Sequence, residues 1–120
     1  MSKSNQSYVY FIQLQNEENL IKIGQSKTPL KRLKELRYFH KTDIKILLIT
    51  KSRNYGNVTE KHIHKLFKQY RKAGSQDWFH YDNSILAYIN KLKKYGLAEN
   101  EKSIYANIIN PFQNENEGVY

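Results

Sequence analysis

Cysteine is absent from the 120 residues. That removes disulfides and every thiolate metal site. Long apolar runs are missing too: none approaches the ~20 residues a membrane span needs. The opening residues, MSKSNQSYVY, lack the apolar core of a secretory signal. These absences set the expectation of an intracellular, cytoplasmic protein with no membrane contact. Acidic residues are scarce, 11 against 20 lysines and arginines, giving a formal charge of +9 and a pI of about 9.6. The imbalance is uneven. Residues 96–120 carry Glu99, Glu101, Glu115 and Glu117 against Lys102, a net −3, so residues 1–95 hold +12. A domain this basic has a polyanion as its default partner, nucleic acid first among them.

What is present fills one domain with a modest core. Residues 1–7 are polar and read as a disordered N-terminus, 8–95 as the folded domain, and 96–120 as an acidic, asparagine-rich tail. Within the tail, residues 104–109 (IYANII) form an apolar patch able to dock on the domain or on a second copy, as in a homodimer. Residues 8–14 are aromatic and β-branched and predict a strand. A turn at 15–19 and a short strand at 20–23 complete a hairpin that Gly24 ends. Thr28-Pro29 opens a basic helix over 29–38, with Leu30, Leu33 and Leu36 on one face. Residues 44–50 predict a third strand, apolar enough to be central. A second helix is expected over 57–73 and stopped by Gly74, a short aromatic segment at 78–81, and a third helix ending at Gly96. The expectation is an α/β (α+β) fold: a three-stranded antiparallel sheet flanked by helices, in the order ββαβαα.

The second helix carries the most chemistry. Ile63, Leu66, Phe67 and Tyr70 share its apolar face, and Lys61, Lys65, Lys68 and Lys72 a basic stripe. Glu60, His64 and Arg71 line the border between the two. A carboxylate and an imidazole one turn apart can hold a divalent ion or trade a proton. Equally, residues 57–60 fit a capping box in which Glu60 only satisfies the helix start, and His64 can be a packed histidine. Arg32 lies at the edge of the leucine face, where it can fork onto a phosphate or sit as one surface cation among Lys31, Lys34 and Arg37. Tyr8 and Tyr10 share one side of the first strand. Trp78 and Phe79 read as core more readily than as a base-stacking platform. There is no GxxxxGK[ST] loop and no HExxH.

Taken in order, these residues resemble a family. Tyr8-Val9-Tyr10, then Lys22-Ile23-Gly24, Arg32 eight positions on, and Glu60 opening a later helix are similar to the GIY-YIG nuclease superfamily. The nearest branch is that of phage and viral open reading frames, whose second motif reads K-I-G. Its glutamate helix reads E-x-x-x-H-x-x-F-x-x-x-R ahead of a Trp-Phe pair, matched here by Glu60, His64, Phe67, Arg71 and Trp78-Phe79. The resemblance implies metal-dependent hydrolysis of phosphodiesters. Glu60 would hold Mg²⁺ or Mn²⁺, Arg32 would stabilise the transition state, and Tyr10 would position or activate water. Tyr8 stands where the family has a glycine, and Lys22 where it has the second tyrosine. Lys22 serves as a base only with a pKa well below ~10.4; otherwise it binds phosphate or faces solvent.

The resulting expectation is an endonuclease of a phage or mobile element, acting on DNA ahead of RNA. Tyr10, Lys22, Arg32, Glu60 and His64 form its catalytic set. Lys22, Lys31, Arg32, Lys61, Lys65, Lys68 and Arg71 contact nucleic acid, with Tyr8, Gly24, Trp78 and Phe79 as structural motif residues. The rival expectation is a catalytically disabled nucleic-acid-binding module of the same fold.

Overall fold

A computed structural model of the chain describes residues 6–96. The tail, its 104–109 patch and residues 1–5 lie outside those described. The fold is α+β, and its sheet has four strands: β1 (Tyr8–Leu14), β2 (Glu17–Ser26), β3 (Ile44–Lys51) and β4 (Trp78–His80), all antiparallel, in the order β3-β1-β2-β4. Helices α1 (Pro29–His40), α2 (Glu60–Leu66) and α3 (Asn83–Gly96) pack on it. The three-strand expectation is corrected by β4, which is only three residues long. Its strand character comes from its partner: Leu20, Ile21 and Lys22 pair with His80, Phe79 and Trp78. β1, not β3, lies inside the sheet between two partners, and six of its seven residues are buried.

Strand alternation splits the apolar residues between two cores. Val9, Phe11, Ile21 and Ile23 join Ile63, Phe67, Ile85 and Ile89 under α2 and α3. Tyr10, Ile12 and Ile49 join Leu33 and Leu36 under α1. Burying one such aliphatic side chain contributes about 1.5–3 kcal/mol, so these stripes fix which face each helix turns inward.

Four local expectations change. Gly24 does not end a strand; β2 continues through it to Ser26. Thr28 precedes α1 without a side-chain cap, and its N–H instead donates to Ser26 Oγ at 2.9 Å. The second helix stops at Leu66, and a 3₁₀ turn at Lys68–Tyr70 follows. Lys68, Arg71 and Lys72 therefore leave the helical stripe. Lys72 N–H donates to the Trp78 carbonyl at 2.8 Å, and Arg71 bridges to Phe79, so this segment covers the outer edge of β4. Finally Ser7, assigned to a disordered leader, is held: its hydroxyl meets Ser52 Oγ at 2.8 Å and its carbonyl accepts from Ser52 N–H at 2.9 Å.

Candidate functional site

The site forms where β1, β2, α1, α2 and the approach to β4 converge. Tyr10 and Gly24 are cross-strand partners. The Tyr10 ring lies over Gly24 so closely that a Cβ there would overlap its Cζ and hydroxyl oxygen. The glycine is required by this approach, not by a strand end. The Tyr10 hydroxyl accepts a hydrogen bond from the Arg32 guanidinium. Burial pushes the Tyr10 hydroxyl above its ordinary pKa, although Arg32 pulls the other way. The phenol therefore keeps its proton across the neutral range. Arg32 is exposed on α1, and its other partner is Glu35 at 3.3 Å.

Thr59 is the N-cap of α2, with its hydroxyl accepting from His62 N–H at 3.2 Å. This displaces the capping box expected at 57–60. Glu60 is the first helical residue, not the third, so its carboxylate is left to face the site. Its backbone N–H donates to Gln25 Oε1 at 2.8 Å, while Gln25 Nε2 donates to Ser7 Oγ at 2.7 Å. Burial raises the Glu60 pKa, opposed by His64; Asp77 raises it further and Lys22 lowers it.

His64 is a held histidine. Its Nε2 donates to the Ile23 carbonyl at 2.7 Å, with Glu60 Oε2 3.6 Å away, and its ring is tilted against Phe79 at 5.0 Å. A nitrogen that donates to a carbonyl is not free to ligate a metal. His64 thus ties α2 to the motif strand beside Glu60.

Lys22 does not face solvent. It is 5% exposed, and its Nζ donates to Asp77 Oδ2 at 2.5 Å while lying 5.4 Å from the Trp78 ring centroid. Asp77 is the functional-site residue the sequence reading missed. Its signal was weak: one carboxylate before a Trp-Phe pair, meaningful only once β4 is set beside β2. Gln25, which holds the start of α2, was missed because its partners Ser7 and Glu60 are distant from it in sequence. Of the motif aromatics, Phe79 is fully buried and Tyr8 is half-buried against the α1 core, but Trp78 stands in the wall of a cleft. Lys31, Lys61, Lys65 and Lys68 are exposed. Arg71 is exposed as well, with its guanidinium 5.6 Å from the Phe79 ring centroid. The structure thus gathers Tyr10, Arg32, Glu60, Lys22 and His64 into one electrostatic cluster and adds Asp77. Among the described residues, no three His, Cys, Asp or Glu side chains are grouped to hold a metal.

The model of the T5orf172 domain matches residues 7–94. The chain belongs to the T5orf172 domain family. T5orf172 domains occur in phage and bacterial nuclease-like proteins, and this membership suggests a nuclease or nucleic-acid-related function. No curated protein and no solved structure matches it. The matched span of this T5orf172 domain contains every residue of the cluster. Among its described residues, no helix is long and apolar enough to cross a membrane.

Proposed function

We propose that the chain is a metal-dependent endonuclease of GIY-YIG type, cutting phosphodiester bonds of DNA. One observation carries this reading. Tyr10, Arg32 and Glu60, 22 and 28 positions apart in sequence, come from three elements into one coupled cluster above Gly24.

Glu60 suits a hard divalent ion. Its carboxylate is about a third exposed, and burial already disfavours its charge, a cost that a bound cation offsets. Mg²⁺ or Mn²⁺ at Glu60 would polarise the phosphate and make a bound water more acidic. Arg32 forks onto the non-bridging oxygens, where charge builds in the transition state. Tyr10 keeps its proton, so it positions the attacking water rather than deprotonating it. The water oxygen forms the new bond to phosphorus, and the bond to the leaving sugar oxygen breaks. The water's proton passes to solvent, and the leaving oxygen takes one from solvent.

Cutting of plasmid and of single-stranded DNA by the purified chain with Mg²⁺ or Mn²⁺, beside Glu60→Ala and Arg32→Ala, tests this. Each substitution should lower the rate by about 100-fold or more, the scale of losing one charge-stabilising donor. Equal cutting by all three proteins would defeat the enzyme reading.

A second reading is favoured by Lys22. At the position of the family's second tyrosine stands an ammonium closed against Asp77, as in a binding module with a disabled centre. That reading requires nucleic-acid binding with no cutting under any divalent ion.

A further inference from the structure

Next to the cluster lies a cleft of about 1520 Å³ that shares Arg32 with the mechanism and is otherwise lined by residues the mechanism leaves idle. Lys22 and Arg32 stand at the site end, and Phe39, His40, Lys41 and Trp78 line its other walls. The rings are in sequence: Phe39 meets His40 edge-on at 5.0 Å, and His40 meets Trp78 edge-on at 5.9 Å. Phe39 is 75% exposed and its neighbour Tyr38 86%. Single exposed apolar residues are ordinary, but an aromatic row inside a concave, cationic cleft is not. The left-handed Lys41 (φ 55°) ends α1 here, directly after Phe39 and His40.

We infer that this cleft binds an unpaired nucleotide segment adjoining the phosphate at the Tyr10–Arg32–Glu60 cluster, its bases stacking on Phe39 and Trp78. The inference rests on the nuclease reading for its direction and deepens it to a substrate class. Cations beside aromatic rings are what a single strand requires: charge for the backbone and π-faces for the bases. A duplex offers only the first, because its bases are already stacked and turned inward. Trp78 joins cleft to site physically, since its ring lies against Lys22 in the cluster and against His40 in the cleft.

Trp78 is the chain's single tryptophan, so tryptophan fluorescence reports on the cleft and on the cluster it adjoins, and the abasic strand separates the two. The full chain, with EDTA present, is titrated with a short single-stranded oligonucleotide in deoxy and ribo forms. Its abasic analogue and a duplex of the same sequence serve as comparisons. Single strands should quench Trp78; the abasic strand and the duplex should not. Phe39→Ala, a change at an exposed position that the fold tolerates, should weaken single-strand binding about tenfold while the abasic strand is unaffected. The deoxy and ribo arms tell DNA from RNA. Equal affinity for base-bearing and abasic strands, or no effect of Phe39→Ala, overturns the inference. The two readings fail separately. Cutting by the wild type with unselective binding removes only the cleft, whereas selective quenching without cutting removes only the nuclease.

Discussion

At the scale of single residues, the contact between Tyr10 and Gly24 decides most. A methyl group at position 24 meets the Tyr10 ring and not a flexible side-chain end. Gly24→Ala should therefore cost about 1–3 kcal/mol in stability, the range for overpacking a core, and should displace the hydroxyl bonded to Arg32. Chemical denaturation measures this, and the Tyr10→Ala background supplies the control. With the ring gone, Gly24→Ala should cost well under half as much, giving a large coupling in the cycle. Additive costs would mean that the two residues do not meet. The sequence singled out Tyr10, Arg32 and Glu60 through the order of their motif-like segments, and the structure brings the three side chains near one another. The reason for Gly24 was not legible there. A glycine after an apolar run looks like a strand end, and only the cross-strand register shows a ring lying over it.

At the scale of elements, β4 shows why pairing is hidden from sequence. Three residues cannot announce a strand by alternation; β2 makes them one. The same pairing sets Lys22 opposite Trp78 and brings Asp77 to its ammonium. The pair is asymmetric, with the lysine side chain 7% exposed and the aspartate 37%. Removing the carboxylate strands a buried cation, whereas removing the cation leaves a carboxylate that water reaches. Asp77→Ala should lower stability by about 1–3 kcal/mol, and Lys22→Met by less than about 1 kcal/mol. Thermal and urea denaturation of the two variants check the order; a reversed order would show that the burial of Lys22 is not what the pair sustains. The helices divide in the same way. α1 and α3 followed their apolar spacing. α2 was overextended because periodic lysines and aromatics continue past Leu66, where the backbone changes to a 3₁₀ turn.

At the scale of the whole molecule, charge is the dominant property. A formal +9 spread over exposed lysines favours polyanions through release of their counterions. Lys61 and Lys65, exposed on α2 beside Glu60, belong to that field. Replacing each with alanine should reduce the log–log salt slope of DNA binding by about 1. The weakening should be alike for different sequences. Fluorescence anisotropy over a salt series reads both, and an unchanged slope would place the phosphate path elsewhere on the surface. The α+β class was visible from composition and periodicity, while of the expected basic stripe only Lys61 and Lys65 lie on α2. The two-core division was not visible, because it depends on which strand sits in the middle.

Gln25 spans three parts of this molecule with one side chain: it donates to Ser7, where the chain enters the sheet, and accepts from Glu60, where α2 begins. Ser7 is in turn fastened to Ser52 beyond the end of β3. In mechanical terms this is a tie rod. The backbone of Glu60 is braced by a strut anchored at Ser7, so a load on the chain at Ser7 is delivered to the first residue of α2.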